Sequence, residues 1–144
     1  MAINRLIYIY STMGSFTLKK EEIIKSKKTI DYLFSGGAKS FCVYPIRVVY
    51  KEQLYPTITN NTLLVSVSKR KFKHAVDRNK IKRLLREGYR LNKQLLLNDD
   101  SQLEQPLALA FIYLSNKIFS FKEIEEAIKK LLTLIVEESN SENA

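Results

Sequence analysis

Residues 69–93 read KRKFKHAVDRNKIKRLLREGYRLNK and hold 11 of the chain's 24 lysines and arginines, with only two acids, Asp77 and Glu87. The chemistry open to such a stretch is the binding of a polyanion. Its balance of +9 is that of the whole protein, so everything outside it sums to zero. The positive charge is a local device. Wound as a helix at about 100° per residue, the stretch places Ile81, Leu84, Leu85, Gly88 and Leu91 on one face, with Tyr89 at its margin. Asn79, Lys80, Lys82, Arg83, Arg86, Arg90 and Lys93 fall opposite. A solvated helix face would interleave acids for i,i+4 pairing. Here Glu87 is the only acid in the second half. Like charges at this density repel, and an anionic partner relieves the repulsion.

Catalytic chemistry has no comparable constellation. His74 is the only histidine, which excludes a two-histidine acid–base mechanism within one chain. It stands among Lys71, Lys73 and Arg78, where it reads as a polar surface residue and not as a base. No His/Cys group has metal-ligand spacing. The acidic pairs Asp99-Asp100, Glu125-Glu126 and Glu137-Glu138 are sequence neighbours, which diverge on a helix or belong to a turn. No glycine-rich phosphate loop is present. By its own residues this is a binding protein, and no protein metal site is expected.

The elements that must position the basic stretch follow from the rest of the chain. At 144 residues and 45% hydrophobic content, one globular domain is expected. Residues 1–16 are expected to be a poorly ordered N-terminal extension, with LIYIY open to reading as a short strand or an apolar tail. The domain spans 17–138, and 139–144 form a polar tail. Residues 17–34 read as helical, in one or two pieces, with Ser26 as an N-cap and Ser35-Gly36-Gly37 as the stop. FCVYPIRVVY, residues 41–50, reads as a strand in which Pro45 marks an edge or bulge. An extra short strand near Lys39 is an open addition. TLLVSVS, residues 62–68, is a second strand, and the basic helix starts between Lys73 and Asp77. Asn98-Asp99-Asp100-Ser101 ends it. LALAFIYL, residues 107–114, has the continuous apolar character of a central strand buried on both faces. Ser120 and Glu123 form a capping box for a last amphipathic helix running to about Glu138.

The resulting class is α+β, a small mixed sheet with helices packed on it. The core is expected to contain Leu33, Val48, Leu64, Val67, Leu84, Leu109, Phe111, Ile128 and Leu132. The lone Cys42 fits a reducing compartment. The apolar run at residues 6–10 is too short to span a membrane, and it lacks the features of a secretory signal. The expected location is the cytoplasm, with no membrane partner.

Ser66-Val67-Ser68-Lys69-Arg70, then Ala75-Val76, then Arg78-Asn79-Lys80-Ile81-Lys82-Arg83-Leu84-Leu85-Arg86-Glu87 closely resembles the signature of bacterial ribonuclease P protein components. That family carries an Arg-Asn-Arg core, which stands here as Arg78-Asn79-Lys80. The lysine keeps the charge and loses planar bidentate geometry. Element order extends the resemblance more loosely from Thr17 to Glu138.

The resemblance implies an α/β sandwich with a left-handed β-α-β crossover, although most such units are right-handed. It implies a subunit of the ribonucleoprotein endonuclease that removes the 5′ leader of precursor tRNA. The catalyst would be the RNA, using Mg²⁺ that the RNA mainly binds, and the protein alone would be inactive. The partners would be ribonuclease P RNA, in a complex with one protein monomer per RNA, and precursor tRNA. RNA contacts are expected at Lys69, Arg70, Lys71, Arg78, Asn79, Lys80, Lys82, Arg83, Arg86 and Arg90. A cleft between the first helix and the sheet would receive the leader. Ser66 and Ser68 would hydrogen-bond a backbone there, and Phe34 stands where the family places a cleft aromatic. Phe34 reads equally well as a core residue, and Ile30 occupies the place of a second aromatic. Tyr44, Arg47 and Tyr50 are open candidates for lining the cleft.

A competing class is a non-catalytic DNA-binding protein with one basic helix in the major groove. That class expects a short helix and turn before the basic helix, where this chain has strand residues. A membrane-surface helix would carry bulky apolar residues for insertion, and here the apolar face is committed to a core.

Overall fold

The sheet is built around the apolar run expected to be central. In the computed structural model, which describes residues 18–24, 27–53, 61–96 and 106–142, four strands lie in the order β1-β2-β4-β3. They are β1 (Lys39–Val43), β2 (Ile46–Glu52), β3 (Thr62–Ser66) and β4 (Leu107–Tyr113). β4 runs antiparallel to β2 and parallel to β3, so the sheet is mixed. The helices are α1 (Lys27–Phe34), α2 (Ala75–Asn92) and α3 (Phe121–Glu142). Single 3₁₀ turns stand at Lys20–Glu22 and Lys93–Leu96. This is the α+β class read from the sequence.

Alternation along the strands divides the molecule into layers. Leu107, Leu109, Phe111 and Tyr113 of β4 join Ile46, Val48 and Tyr50 of β2 and Leu63 and Val65 of β3 in one apolar cluster. α2 contributes Ile81, Leu85 and Tyr89 to it, and α3 contributes Ile124, Ile128, Leu131 and Leu132. On the other face Ala108 and Ala110 of β4 and Val49 of β2 meet Leu33 of α1 and Ile24. Large side chains therefore face two long helices, and small ones face one short helix.

The stretch FCVYPIRVVY is not one strand. It is a hairpin in which Val43 pairs with Ile46 around the Tyr44-Pro45 turn. Pro45 has no N–H to give a ladder and sits where none is needed; its carbonyl accepts from Leu114 N at 2.8 Å. The optional strand near Lys39 is the first arm of this hairpin. The helical region before residue 35 is indeed in two pieces, a 3₁₀ turn and α1. The capping box is present: Glu123 N donates to Ser120 Oγ at 3.3 Å, and Ser120 N to Glu123 Oε2 at 3.0 Å. α3 runs to Glu142, so residues 139–142 of the expected tail are helical; nothing in SNSE resembles a glycine or proline stop. The extension at 1–16, the Ser26 cap and the connection at 98–101 lie outside the described residues.

α2 sits on the core rotated from its expected orientation. Leu85 is fully buried, Leu84 only partly, and Leu91 is 38% exposed. Tyr89 and Asn92 are buried in their place. The cause is the pair of surfaces α2 must meet. Tyr89 packs edge-on against Phe111 of β4, with ring centroids 5.9 Å apart. Gly88 faces α3 so closely that a Cβ there would lie 2.6 Å from Ile128 Cδ1. Leu64 is likewise only half-buried, at the α1 side of the edge strand. Leu33, Val48, Val67, Leu109, Phe111, Ile128 and Leu132 are in the core as read.

This placement gives a stability test. Leu85→Ala is expected to cost about 2–5 kcal/mol in urea unfolding, through lost burial and a cavity. Leu91→Ala is expected to stay within about 0.5 kcal/mol, as exposed positions do. A loss at Leu91 comparable to that at Leu85 would mean that α2 packs on the face drawn from the simple wheel.

Candidate nucleic-acid interface

With its inner face fixed, α2 turns Asn79, Lys80, Arg83 and Arg86 to solvent. Among the described residues no carboxylate lies within ion-pair distance of Lys80, Arg83 or Arg86. Val76, 78% exposed, stands on the same ridge one turn before Asn79 and Lys80. Lys82 lies on the flank, half-buried. Arg90 is at the far end and is neutralised locally: it meets Glu87 at 2.6 Å. The hydrogen bond from Arg90 holds the Glu87 carboxyl below its ordinary range, and the same bond pushes the Arg90 guanidinium up.

Lys93 does not belong to this surface. Its ammonium is buried and bonds both Glu22 carboxylate oxygens, at 2.9 and 3.1 Å. This clasp ties the 3₁₀ turn before α1 to the end of α2. The wheel placed Lys93 outward because it assumed that α2 continues, whereas the helix tightens into a 3₁₀ turn there. Burial, and then the Glu22 carboxylate, push the nearby Tyr89 phenol well up.

The loop between β3 and α2 is shaped by its own side chains. Phe72 is buried against Tyr113, with centroids 6.0 Å apart. Arg70 N donates to Ser68 Oγ at 3.2 Å and Phe72 N to Ser68 O at 3.1 Å. Arg78 reaches back from α2: its Nη1 donates to the carbonyls of Phe72 at 2.8 Å and Lys73 at 3.0 Å. Lys71 Nζ donates to the Leu114 carbonyl at the end of β4. Arg78 and Lys71 thus hold the loop in place, while Lys69 and Arg70 extend into solvent. His74 stands exposed at the N-cap, with no side-chain hydrogen bond to the helix.

A second surface lies across the sheet. Register places Arg47, Ile112 and Ser66 in one row on the face that α1 covers. The chain before α1 touches β3 through the bond from Ile24 N to Leu63 O, 2.9 Å, and the end of α1 meets Lys51 of β2. α1 therefore crosses the strands. It covers their Lys51–Ala108–Thr62 end and leaves the Arg47–Ile112–Ser66 end open. Around α1, Tyr32 and Phe34 diverge by about 100° on either side of the buried Leu33. Tyr32 Oη donates to the Glu52 carbonyl at 2.8 Å, which fixes that flank. Phe34, 49% exposed, emerges on the other flank with Ile30, toward the open row. Phe34 is therefore not a core residue.

Of the other cleft candidates, Arg47 faces this row, whereas Tyr50 is buried on the opposite face. Tyr44 sits at the hairpin tip, 63% exposed, edge-on to Phe119. Ser68, exposed, lies in the loop just beyond the row. A cavity of about 360 Å³ lies on the Tyr32 flank, between Glu52 and the end of α3, and is separate from the row. Lys51 had no role in the sequence reading, since its partners, the Tyr32 and Gly36 carbonyls, Ser35 Oγ and the Tyr32 ring, lie 15 to 19 residues away across the α1–β1–β2 connection. Among the described residues no group of three His, Cys, Asp or Glu side chains converges on a metal-sized site. No helix among them is long and apolar enough to cross a membrane.

The fold is that of solved bacterial proteins of one kind. The RNase P protein of Staphylococcus aureus, as a mutant described as having defective mRNA degradation activity, superposes with a TM-score of 0.63 at 22% identity, covering 89% of this chain and 95% of its own. The RNase P protein from Thermotoga maritima gives 0.62 at 19% identity, covering 78% and 96%. Sequence narrows this to a family. Residues 18–136 match the profile of the Ribonuclease P family. A ribonuclease P protein component from Porphyromonas gingivalis is 43% identical over 122 residues, 84% of this chain and 88% of its own. The chain belongs to the ribonuclease P protein family.

The Arg78 contacts carry a local prediction. Arg78→Ala is expected to speed amide exchange at residues 69–74, since the Phe72 and Lys73 carbonyls lose their donor, and to leave β4 amides protected. Unchanged loop exchange would mean that the buried Phe72 suffices to hold the loop.

Proposed function

We propose that this chain is the protein subunit of a cytoplasmic ribonuclease P, one monomer per catalytic RNA. In this reading it assists Mg²⁺-dependent removal of the 5′ leader from precursor tRNA. The RNA supplies the catalysis and mainly binds the metal. The outer ridge of α2, with Lys69 and Arg70, docks on the catalytic RNA. The leader lies along the open row beside Phe34, where a base can stack on the ring and Arg47, Ser66 and Ser68 can meet phosphates. The observation that carries the reading is the ridge of Asn79, Lys80, Arg83 and Arg86, a cationic surface without acidic partners among the described residues, on a helix whose other face is committed to the core. Family membership supports it.

Arg83→Ala and Arg86→Ala are expected to weaken binding to ribonuclease P RNA with little loss of stability. Each lost phosphate contact flattens the log–log salt dependence by up to about one unit. Arg90→Ala, whose charge already has a local partner, is expected to flatten it less. Unchanged affinity and slope in the first two variants would remove α2 from the interface.

Reconstitution tests the whole reading. Cleavage is measured with and without protein across Mg²⁺ concentrations, on precursors with and without a leader. The protein is expected to lower the Mg²⁺ requirement by screening phosphate repulsion, and to favour the leader-bearing substrate. Specific 5′ cleavage by RNA-free protein would defeat the assignment of catalysis to RNA. A protein that helps the RNA under no ionic condition would bring a DNA-binding role to the front.

A further inference from the structure

α1 is eight residues long and buries one side chain completely, Leu33. A helix this short has little stability of its own and takes its orientation from what holds it. Its end is held from β2, by the Tyr32 hydroxyl on the Glu52 carbonyl and by one β2 side chain, Lys51. Lys51 Nζ donates to the Gly36 carbonyl at 2.8 Å, to the Tyr32 carbonyl at 3.2 Å and to Ser35 Oγ at 3.4 Å. It also lies 4.0 Å from the centre of the Tyr32 ring. An ammonium at a helix C-terminus satisfies carbonyls that the helix leaves open and complements its dipole. The turn it closes uses Gly36 at φ 109° and Gly37 at φ 75°, a left-handed path open to glycine.

The carbonyls that Lys51 gathers stand on both sides of Phe34 in the chain. Tyr32 precedes it and Gly36 follows it, and the Tyr32 hydroxyl is separately tied to Glu52. The rotation of α1 about its axis, and with it the direction of the Phe34 ring, is fixed from β2. We propose that Lys51 is a positioning residue for the single-stranded leader, acting through Phe34 and not by touching RNA; this rests on the function proposed above. It faces α1 from the covered end of the sheet, and its three donor hydrogens have three acceptors within the protein.

The test uses the full chain with ribonuclease P RNA, and precursor tRNA with and without a leader. Lys51→Met, Lys51→Arg, Phe34→Ala and the Lys51→Met/Phe34→Ala double variant are compared with the parent. Lys51→Met is expected to lose about fivefold or more of the binding preference for leader-bearing substrate. Affinity for the catalytic RNA and the salt slope are expected to stay unchanged. Lys51→Arg, which keeps a cation and several donors at the helix end, is expected to restore most of the preference. In the Phe34→Ala background, Lys51→Met is expected to add nothing, because both act on one contact.

The proposal is overturned if the parent shows a leader preference that Lys51→Met retains. It is also overturned if the loss comes with a salt slope flatter by about one unit, the mark of a direct phosphate contact. Additivity with Phe34→Ala, or an equal loss of catalytic-RNA affinity, overturns it as well. A parent protein with no leader preference overturns the functional reading itself, a result distinguishable from all of these.

Discussion

Six basic side chains between Arg78 and Arg90 repel one another, and the contact that holds them in one place is the inner face of α2. Leu85, Gly88 and Tyr89 set that face against α3 and β4. The absence of a side chain at Gly88 brings the two helices close enough for Ile128 to fill the gap. Burial of this kind is non-directional and scales with area, so it tolerates charge on the opposite face of the same helix. The ridge is therefore fixed in space by residues that take no part in its chemistry. The Glu22–Lys93 clasp extends the same anchoring to the chain before α1, at the far end of the helix.

The sheet separates two surfaces that act on different parts of an RNA assembly in the proposed reading. β4 makes the separation possible. One of its faces is lined by Leu107, Leu109, Phe111 and Tyr113 and carries the bulk of the core. The other is lined by Ala108, Ala110 and Ile112 and, among the described residues, carries α1 and the flanking Ile24 and Ala38. β3 connects the two surfaces along the chain. It gives Leu63 and Val65 to the main core and Ser66 to the open row, and then continues into the loop that carries Lys69 and Arg70.

Much of this was legible in the sequence, for reasons that can be named. The apolar continuity of LALAFIY marks a strand covered on both sides, and the basic stretch marks itself by its lack of acids. Ser120 and Glu123 announce the start of α3 because their reciprocal bonds are local. What was illegible depends on partners distant in sequence. The rotation of α2 is decided by Phe111 and Ile128, which no helical wheel of α2 contains. Lys93 looked like one more surface cation because its partner, Glu22, lies 71 residues away. The hairpin at Tyr44-Pro45 was hidden because apolar and aromatic residues continue through the turn. Phe34 could be assigned neither to core nor to surface until Tyr32 had fixed the roll of α1.

The two alanines under α1 set more than its seat. Ala108 and Ala110 are completely buried, and Leu33 and Val49 close over them. Their small size lets the short helix ride low on the sheet, and the height of α1 and Phe34 above the open row follows from that seat. A methyl or two added at either position would act as a shim, lifting α1 and the Phe34 ring without changing any residue of the open row or of the cationic ridge. The spacing between α1 and the sheet is thus adjustable through two floor positions. In the proposed reading, a substitution there would change how much single strand fits beside Phe34 while the cationic ridge stays the same.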